Sequence, residues 1–88
     1  MNRPNIKKSS INNAIETLKD KIQHSLDEKG DGSFSSTHEI LGIIQEEHHE
    51  LIDAVRSNSQ EDVAKELLDI AVGAILGMAC IKQKSIDW

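Results

Sequence analysis

The sequence has 88 residues, of which 38% are hydrophobic and 28% charged, and its net charge at pH 7 is −5. This length predicts one small domain, and the negative charge argues against direct binding of a nucleic-acid polymer. The longest apolar run, residues 70–81, is shorter than the ~20 residues that a membrane-spanning helix needs, so no membrane partner is expected.

Cysteine usage bears on the cellular compartment. Cys80 is the single cysteine of the sequence, so it cannot form an intrachain disulfide bond. The N-terminus has no apolar core of the kind that a signal peptide carries. Both features predict a protein of the reducing cytoplasm.

Residues 1–9 are polar and predict a flexible N-terminal tail, followed by a single helical domain over residues 10–88. The first helix is expected at about 10–29, with Ser10 as its N-cap and Gly30 as its C-terminal cap. Its apolar residues recur at helical spacing and form one stripe. They are Ile11, Ala14, Ile15, Leu18, Ile22 and Leu26.

Two further helices are expected at about 36–57 and 59–84, each beginning at a capping box. The first box is Ser36-x-x-Glu39, and the second is either Ser59-x-x-Asp62 or Asn58-x-x-Glu61. Residues 70–81 are apolar on every side of the third helix, and three helices can hardly enclose such a segment. The sequence therefore predicts an all-α, three-helix protomer in a helical-bundle oligomer, a homodimer or a dimer of dimers.

Acidic residues form two tight clusters on these last two helices. Glu46, Glu47 and Glu50 belong to the second helix, and Glu66 and Asp69 to the third. Residues three or four apart share a helix face, so antiparallel packing of the helices would bring four or five carboxylates together. Glu47 projects into the apolar arc of its helix, where an unpaired carboxylate is costly. The pattern predicts a hard cation such as Mg²⁺ or Mn²⁺.

This pattern, E-E-x-x-E followed by E-x-x-D, resembles the signature of the MazG-like all-α nucleoside triphosphate pyrophosphohydrolases. Residues 36–42 and the apolar helix after Asp69 are also similar to that family, so the resemblance covers about residues 36–81. It implies hydrolysis of a nucleoside triphosphate to the monophosphate and pyrophosphate, with Mg²⁺ as cofactor and with house-cleaning of non-standard nucleotides as a possible purpose. It further implies metal ligands and catalytic residues, with Glu46 either as an outer ligand or as the carboxylate that orients the attacking water. The implied ligands are Glu47, Glu50, Glu66 and Asp69, and the implied catalytic residues are Glu46 and Glu47.

Three residues are candidates for binding the substrate. His38 lies in the segment that resembles the family. Phe34 lies in a loop, where it either packs on the core or stacks beside a nucleotide base. Gly73 either allows close helix packing or leaves room for a ligand beside the metal.

Two other interpretations stay open from the sequence. The spacing Glu46-x-x-His49 occurs in di-iron carboxylate proteins, although a second E-x-x-H is absent and His49 projects away from Glu47. A catalytically degenerate helical interaction module would keep the same helices and carry the carboxylates as solvated surface.

Overall fold

The computed structural model describes residues 2–87, which form three α-helices and no strand. They are α1 (Lys8–Lys29), α2 (Thr37–Arg56) and α3 (Gln60–Lys82). The predicted all-α, three-helix fold is confirmed, and each helix end lies within two residues of its predicted position. Among these residues, no helix combines the length and the apolar character needed to cross a membrane.

The start of α1 differs from the prediction. Lys7, not Ser10, is the N-cap, and it makes no side-chain capping hydrogen bond. Ser10 already lies in the first turn, where its backbone N–H donates to the carbonyl oxygen of Lys7 at 3.0 Å. Lysine is a good helix former, so the helix extends upstream of the expected serine cap. The Gly30 cap is confirmed, with φ of 83° and an N–H···O bond of 2.9 Å to Leu26.

Capping by serine defines the starts of α2 and α3. The hydroxyl of Ser36 accepts a hydrogen bond from the backbone N–H of Glu39 at 3.2 Å, and Glu39 in turn accepts one from the N–H of Ser35 at 2.8 Å. At α3, the Ser59 hydroxyl accepts from the N–H of Asp62 at 3.1 Å, so this is the one of the two predicted caps that forms. The short link of residues 57–59 joins α2 and α3 into a helical hairpin.

Glycines on α3 let the hairpin close tightly. A Cβ atom at Gly73 would lie 3.2 Å from Ile44 Cδ1, and one at Gly77 would lie 3.1 Å from Ile40 Cγ2. Later residues of α3 thus face earlier residues of α2, which shows that the two helices run antiparallel. The predicted close packing over small residues is confirmed, and it brings the acidic segments of both helices to the same level.

A single chain leaves much apolar surface uncovered. Its radius of gyration is 14.9 Å, whereas a compact domain of this length has about 12 Å. The helix α1 has no buried residue and packs on α3 but not on α2. On α3, Met78 is 59% exposed and Ile81 is 54% exposed. The oligomer stays a prediction, and these exposed apolar side chains are the structural observation that supports it.

Candidate metal centre

Three carboxylates converge where α2 faces α3. Glu47 comes from α2, and Glu66 and Asp69, three residues apart, come from one face of α3. One carboxylate oxygen of each residue lies within 4.8 Å of those of the other two. In an octahedral Mg²⁺ site with bonds of about 2.1 Å, opposite oxygens are about 4.2 Å apart. Small side-chain movements would therefore suffice for all three groups to bind one ion.

Burial makes this cluster unusual for an acidic surface. Glu66 is only 9% exposed. The Oε2 atoms of Glu47 and Glu66 are both buried, and neither has a hydrogen-bond partner among the described residues. A buried carboxylate oxygen without a partner is costly, and native structures contain few such atoms. The two orphaned acceptors fit a cation that is bound between the helices.

The pKa values of Glu47 and Glu50 are both raised within this crowded cluster of carboxylates. Burial, followed by the negative charge of Glu50 and by contact with Glu66, raises the pKa of Glu47 from 4.5 to about 7. The pKa of Glu50 is also raised, chiefly because its carboxyl group can share a hydrogen bond with Glu66. Carboxylates that raise one another's pKa values would each gain from a divalent cation.

Lys65 is the cation that approaches this cluster. Its Nζ atom lies 3.4 Å from Glu66 Oε1 and 3.5 Å from Asp69 Oδ2. Its side chain is 65% exposed, so it covers the outer edge of the cluster and leaves the buried Oε2 atoms unpaired. The negative charge of Asp69, and then that of Glu66, raises the pKa of Lys65.

The other acidic and histidine candidates of α2 lie at the edge of the cluster or away from it. Glu50 is exposed but close enough to interact with Glu47 and Glu66. Glu46, His48 and His49 are exposed. The exposure of His49 agrees with its predicted projection away from Glu47.

A cavity of about 500 Å³ opens beside the cluster. Glu47 and Asp69 form one part of its wall, and Gly73 and Phe34 form other parts. Phe34 is half-buried, so it both packs against the chain and borders the cavity. His38 is not among the lining residues, and it lies about 13 Å from Glu47 along the axis of α2 at a rise of about 1.5 Å per residue. Further lining residues come from α1, the loop after it, and the second half of α3 with its C-cap: Lys21, Leu26, Lys29, Ser33, Val72, Leu76, Cys80 and Gln83.

Sequence reasoning missed the basic residues around the site. Lys65 could have been found from its spacing, since it stands four residues before Asp69 and a lysine–carboxylate pair at that spacing meets on a helix. Lys21 and Lys29 carry no such signal. They reach the cavity only because the end of α1 and the loop after it fold over α3.

Comparison with protein families matches residues 15–81 to the phosphoribosyl-ATP pyrophosphohydrolase family. The match runs from within α1 almost to the end of α3 and includes all five motif carboxylates. The chain belongs to this family, which is part of the MazG-like all-α superfamily of pyrophosphohydrolases, hydrolases that act on a phosphoanhydride bond. Comparison with curated proteins and with solved structures gave no match.

Proposed function

We propose that this protein is a metal-dependent nucleoside triphosphate pyrophosphohydrolase, which converts a nucleoside triphosphate and water to the monophosphate and pyrophosphate. The observation that carries the proposal is the convergence of Glu47, Glu66 and Asp69 with two buried, unpartnered carboxylate oxygens. The family match supports the same reaction type. House-cleaning of non-standard nucleotides in the cytoplasm is the purpose that we propose for it.

The donor set fits Mg²⁺, or Mn²⁺ in its place. Glu47, Glu66 and Asp69 would hold the ion directly, and Glu50 would complete the site from the exposed edge. All of these donors are carboxylate oxygens, which hard divalent cations prefer. When bound, such an ion neutralises charge that develops on phosphate oxygens.

The chain's own residues would then place and activate the water. A carboxylate near the scissile α–β phosphoanhydride can accept the proton of the attacking water through a hydrogen bond. Glu47 would contribute as a ligand that fixes the ion beside the phosphates, and its pKa of about 7 in the metal-free protein would fall once an ion is bound. Glu46, next to it on the exposed side of α2, would orient the water from outside.

The neighbouring cavity would take the nucleoside part of the substrate. Its volume of about 500 Å³ is within the ~300–1,000 Å³ range of small-molecule sites. Phe34 offers an apolar ring for a base, and Gly73 forms part of the cavity wall together with Asp69. His38 does not line this cavity, so it would contact a substrate bound there only if it came from another protomer.

A second copy of the chain is the partner that we infer for the exposed apolar surface. An open apolar groove of about 640 Å³ separates the first half of α1 from α3. Ile11, Ile15 and Leu67, which are each about half exposed, line it. Small domains bury too little surface to be robust alone. A homodimer, or a dimer of dimers, would cover this groove and the exposed face near Met78.

A substrate screen tests the proposal. Purified protein should be incubated with Mg²⁺ and a panel of standard and modified nucleoside triphosphates, with phosphoribosyl-ATP included because the family carries its name, while pyrophosphate release is followed. Asp69→Asn is the inactive comparison and Asp53→Asn, an exposed charge change on α2, is the matched control. Release by the wild type and by Asp53→Asn, but not by Asp69→Asn, is the expected result.

Two outcomes would favour the other interpretations. A protein that neither releases pyrophosphate nor gains stability from Mg²⁺ or Mn²⁺ would be a degenerate interaction module. Tightly bound iron with visible absorbance would indicate a di-iron protein, for which His49 would have to turn from its exposed position towards the cluster.

A further inference from the structure

Lys65 lies against the carboxylate cluster in the metal-free protein. Its ammonium group spans two of the carboxylates that would hold the ion, at 3.4 Å from Glu66 and 3.5 Å from Asp69. Within residues 2–87, these are the ion pairs that the cluster makes. The lysine therefore pairs with two of the carboxylate groups that an incoming divalent cation must also bind.

We propose that Lys65 is a tethered counter-ion of the metal-free site, which the divalent cation displaces and which then pairs with the phosphates of the bound substrate. This inference rests on the proposed function, because it takes the carboxylate cluster as the metal site. It adds a residue and a sequence of events that the motif carboxylates do not include.

The geometry supports displacement. The single positive charge of Lys65 pairs with Glu66 and Asp69, and it leaves the Oε2 atoms of Glu47 and Glu66 without a partner. A divalent ion between the helices would pair with these buried oxygens, which the ammonium group does not reach. Lys65 is 65% exposed, so its long and flexible side chain can move without disturbing the core.

The same geometry supports a phosphate contact after displacement. Carboxylates that held an ion would no longer offer Lys65 a full negative charge. A polyphosphate bound at the same site would then be the anion available to Lys65. Lysine is a common point-charge ligand for phosphate, and Lys65 stays anchored to α3 one residue before Glu66.

Measurements of metal binding without nucleotide test whether the divalent cation displaces Lys65. Mn²⁺ affinity should be measured by electron paramagnetic resonance for the wild type, Lys65→Gln, Lys65→Arg and Lys82→Gln. Glutamine keeps helix propensity close to that of lysine, and Lys82→Gln removes the same charge from the far end of α3. We expect Lys65→Gln to bind Mn²⁺ about three- to tenfold more tightly at low salt, with a smaller gain at 1 M salt.

Thermal melts of the same proteins give a readout that does not depend on activity. Without metal, Lys65→Gln should melt below the wild type, since the cluster has lost its counter-ion. With saturating Mn²⁺ this deficit should disappear, because the ion has taken that position. A deficit that persists unchanged in Mn²⁺ would show that Lys65 is an ordinary structural ion pair and would overturn the proposal.

Steady-state kinetics at saturating metal test whether Lys65 pairs with the phosphates of the substrate. Lys65→Gln should raise the KM for the nucleotide at least fivefold and change kcat by less than twofold, and Lys65→Arg should restore most of the affinity. An unchanged KM would overturn the phosphate contact, and Mn²⁺ affinity that is equal or weaker in Lys65→Gln would overturn the counter-ion. Failure of the wild type itself to bind Mn²⁺ would instead refute the proposed function.

Discussion

Replacing Glu47 by glutamine should stabilise the metal-free protein above neutral pH. The carboxyl group of Glu47 is partly buried and has a pKa of about 7 instead of 4.5, because burial and the charge of Glu50 disfavour its ionised form. Glutamine keeps the shape and removes the charge. Its amide group can also donate a hydrogen bond to the unpartnered Oε2 of Glu66.

The size of the expected stabilisation follows from the difference between the folded and unfolded pKa values of Glu47. One pKa unit corresponds to about 1.4 kcal/mol, so the rise from 4.5 to about 7 sets an upper limit of about 3–4 kcal/mol on the gain in the free energy of unfolding. Solvent screens this partly exposed group, which reduces the expected gain in the free energy of unfolding to ~1–2 kcal/mol. For a domain of this size, each kcal/mol should raise the melting temperature by about 4–8 °C.

The raised pKa of Glu47 also determines how the stability difference between the wild type and Glu47→Gln changes with pH. The folded state binds the Glu47 proton more tightly than the unfolded state does, so the wild type has this stabilisation fully below pH 4.5 and loses it as the pH rises to about 7. The glutamine variant has no such loss. Its advantage should therefore be full at pH 8 and should shrink to below about 0.5 kcal/mol near pH 4.5.

The assay is thermal or urea unfolding at pH 4.5 and pH 8, with and without Mg²⁺. Mg²⁺ at 100 times its dissociation constant should stabilise the wild type by about 2.7 kcal/mol, and Glu47→Gln should lose most of that gain. Asp53→Asn, the exposed change on the same helix, should show neither effect. A Glu47→Gln variant that is less stable without metal and keeps the full Mg²⁺ response would refute the reasoning, because Glu47 would then be a structural partner.

Other changes should separate ligands from bystanders. Glu66→Gln and Asp69→Asn should each reduce pyrophosphate release by more than a hundredfold while the circular dichroism spectrum stays helical; activity near that of the wild type would remove them from the site. His49→Ala should leave the rate within a few-fold, since the side chain is exposed, and a loss as large as that of Asp69→Asn would revive the di-iron interpretation. Light scattering at micromolar concentration should give at least a dimer, and Met78→Asp, which places a charge on an exposed apolar face, should shift it towards the monomer.

Much of the fold could be predicted because the helix signals are local. Ser36 and Ser59 cap their helices through hydrogen bonds to residues three positions later, and Gly30 ends α1 in a conformation that glycine tolerates well. The exception is the start of α1. Local capping preference favours Ser10 as the cap, but the residues just before it are also compatible with a helix, so α1 begins two residues earlier, at Lys8.

The sequence by itself determined the pairing of carboxylates within each helix, since residues three apart on a helix share a face. It also placed Glu47 in an apolar arc, and in the structure this residue is partly buried and its Oε2 atom is buried without a partner. Only the tertiary structure decided which groups meet across helices. The antiparallel contact at Gly73 and Gly77 brings Glu47 to Glu66 and Asp69, and the folding of the 30–34 loop over α3 forms the cavity. Such meetings depend on packing between distant segments, and local spacing contains no information about the distance between them.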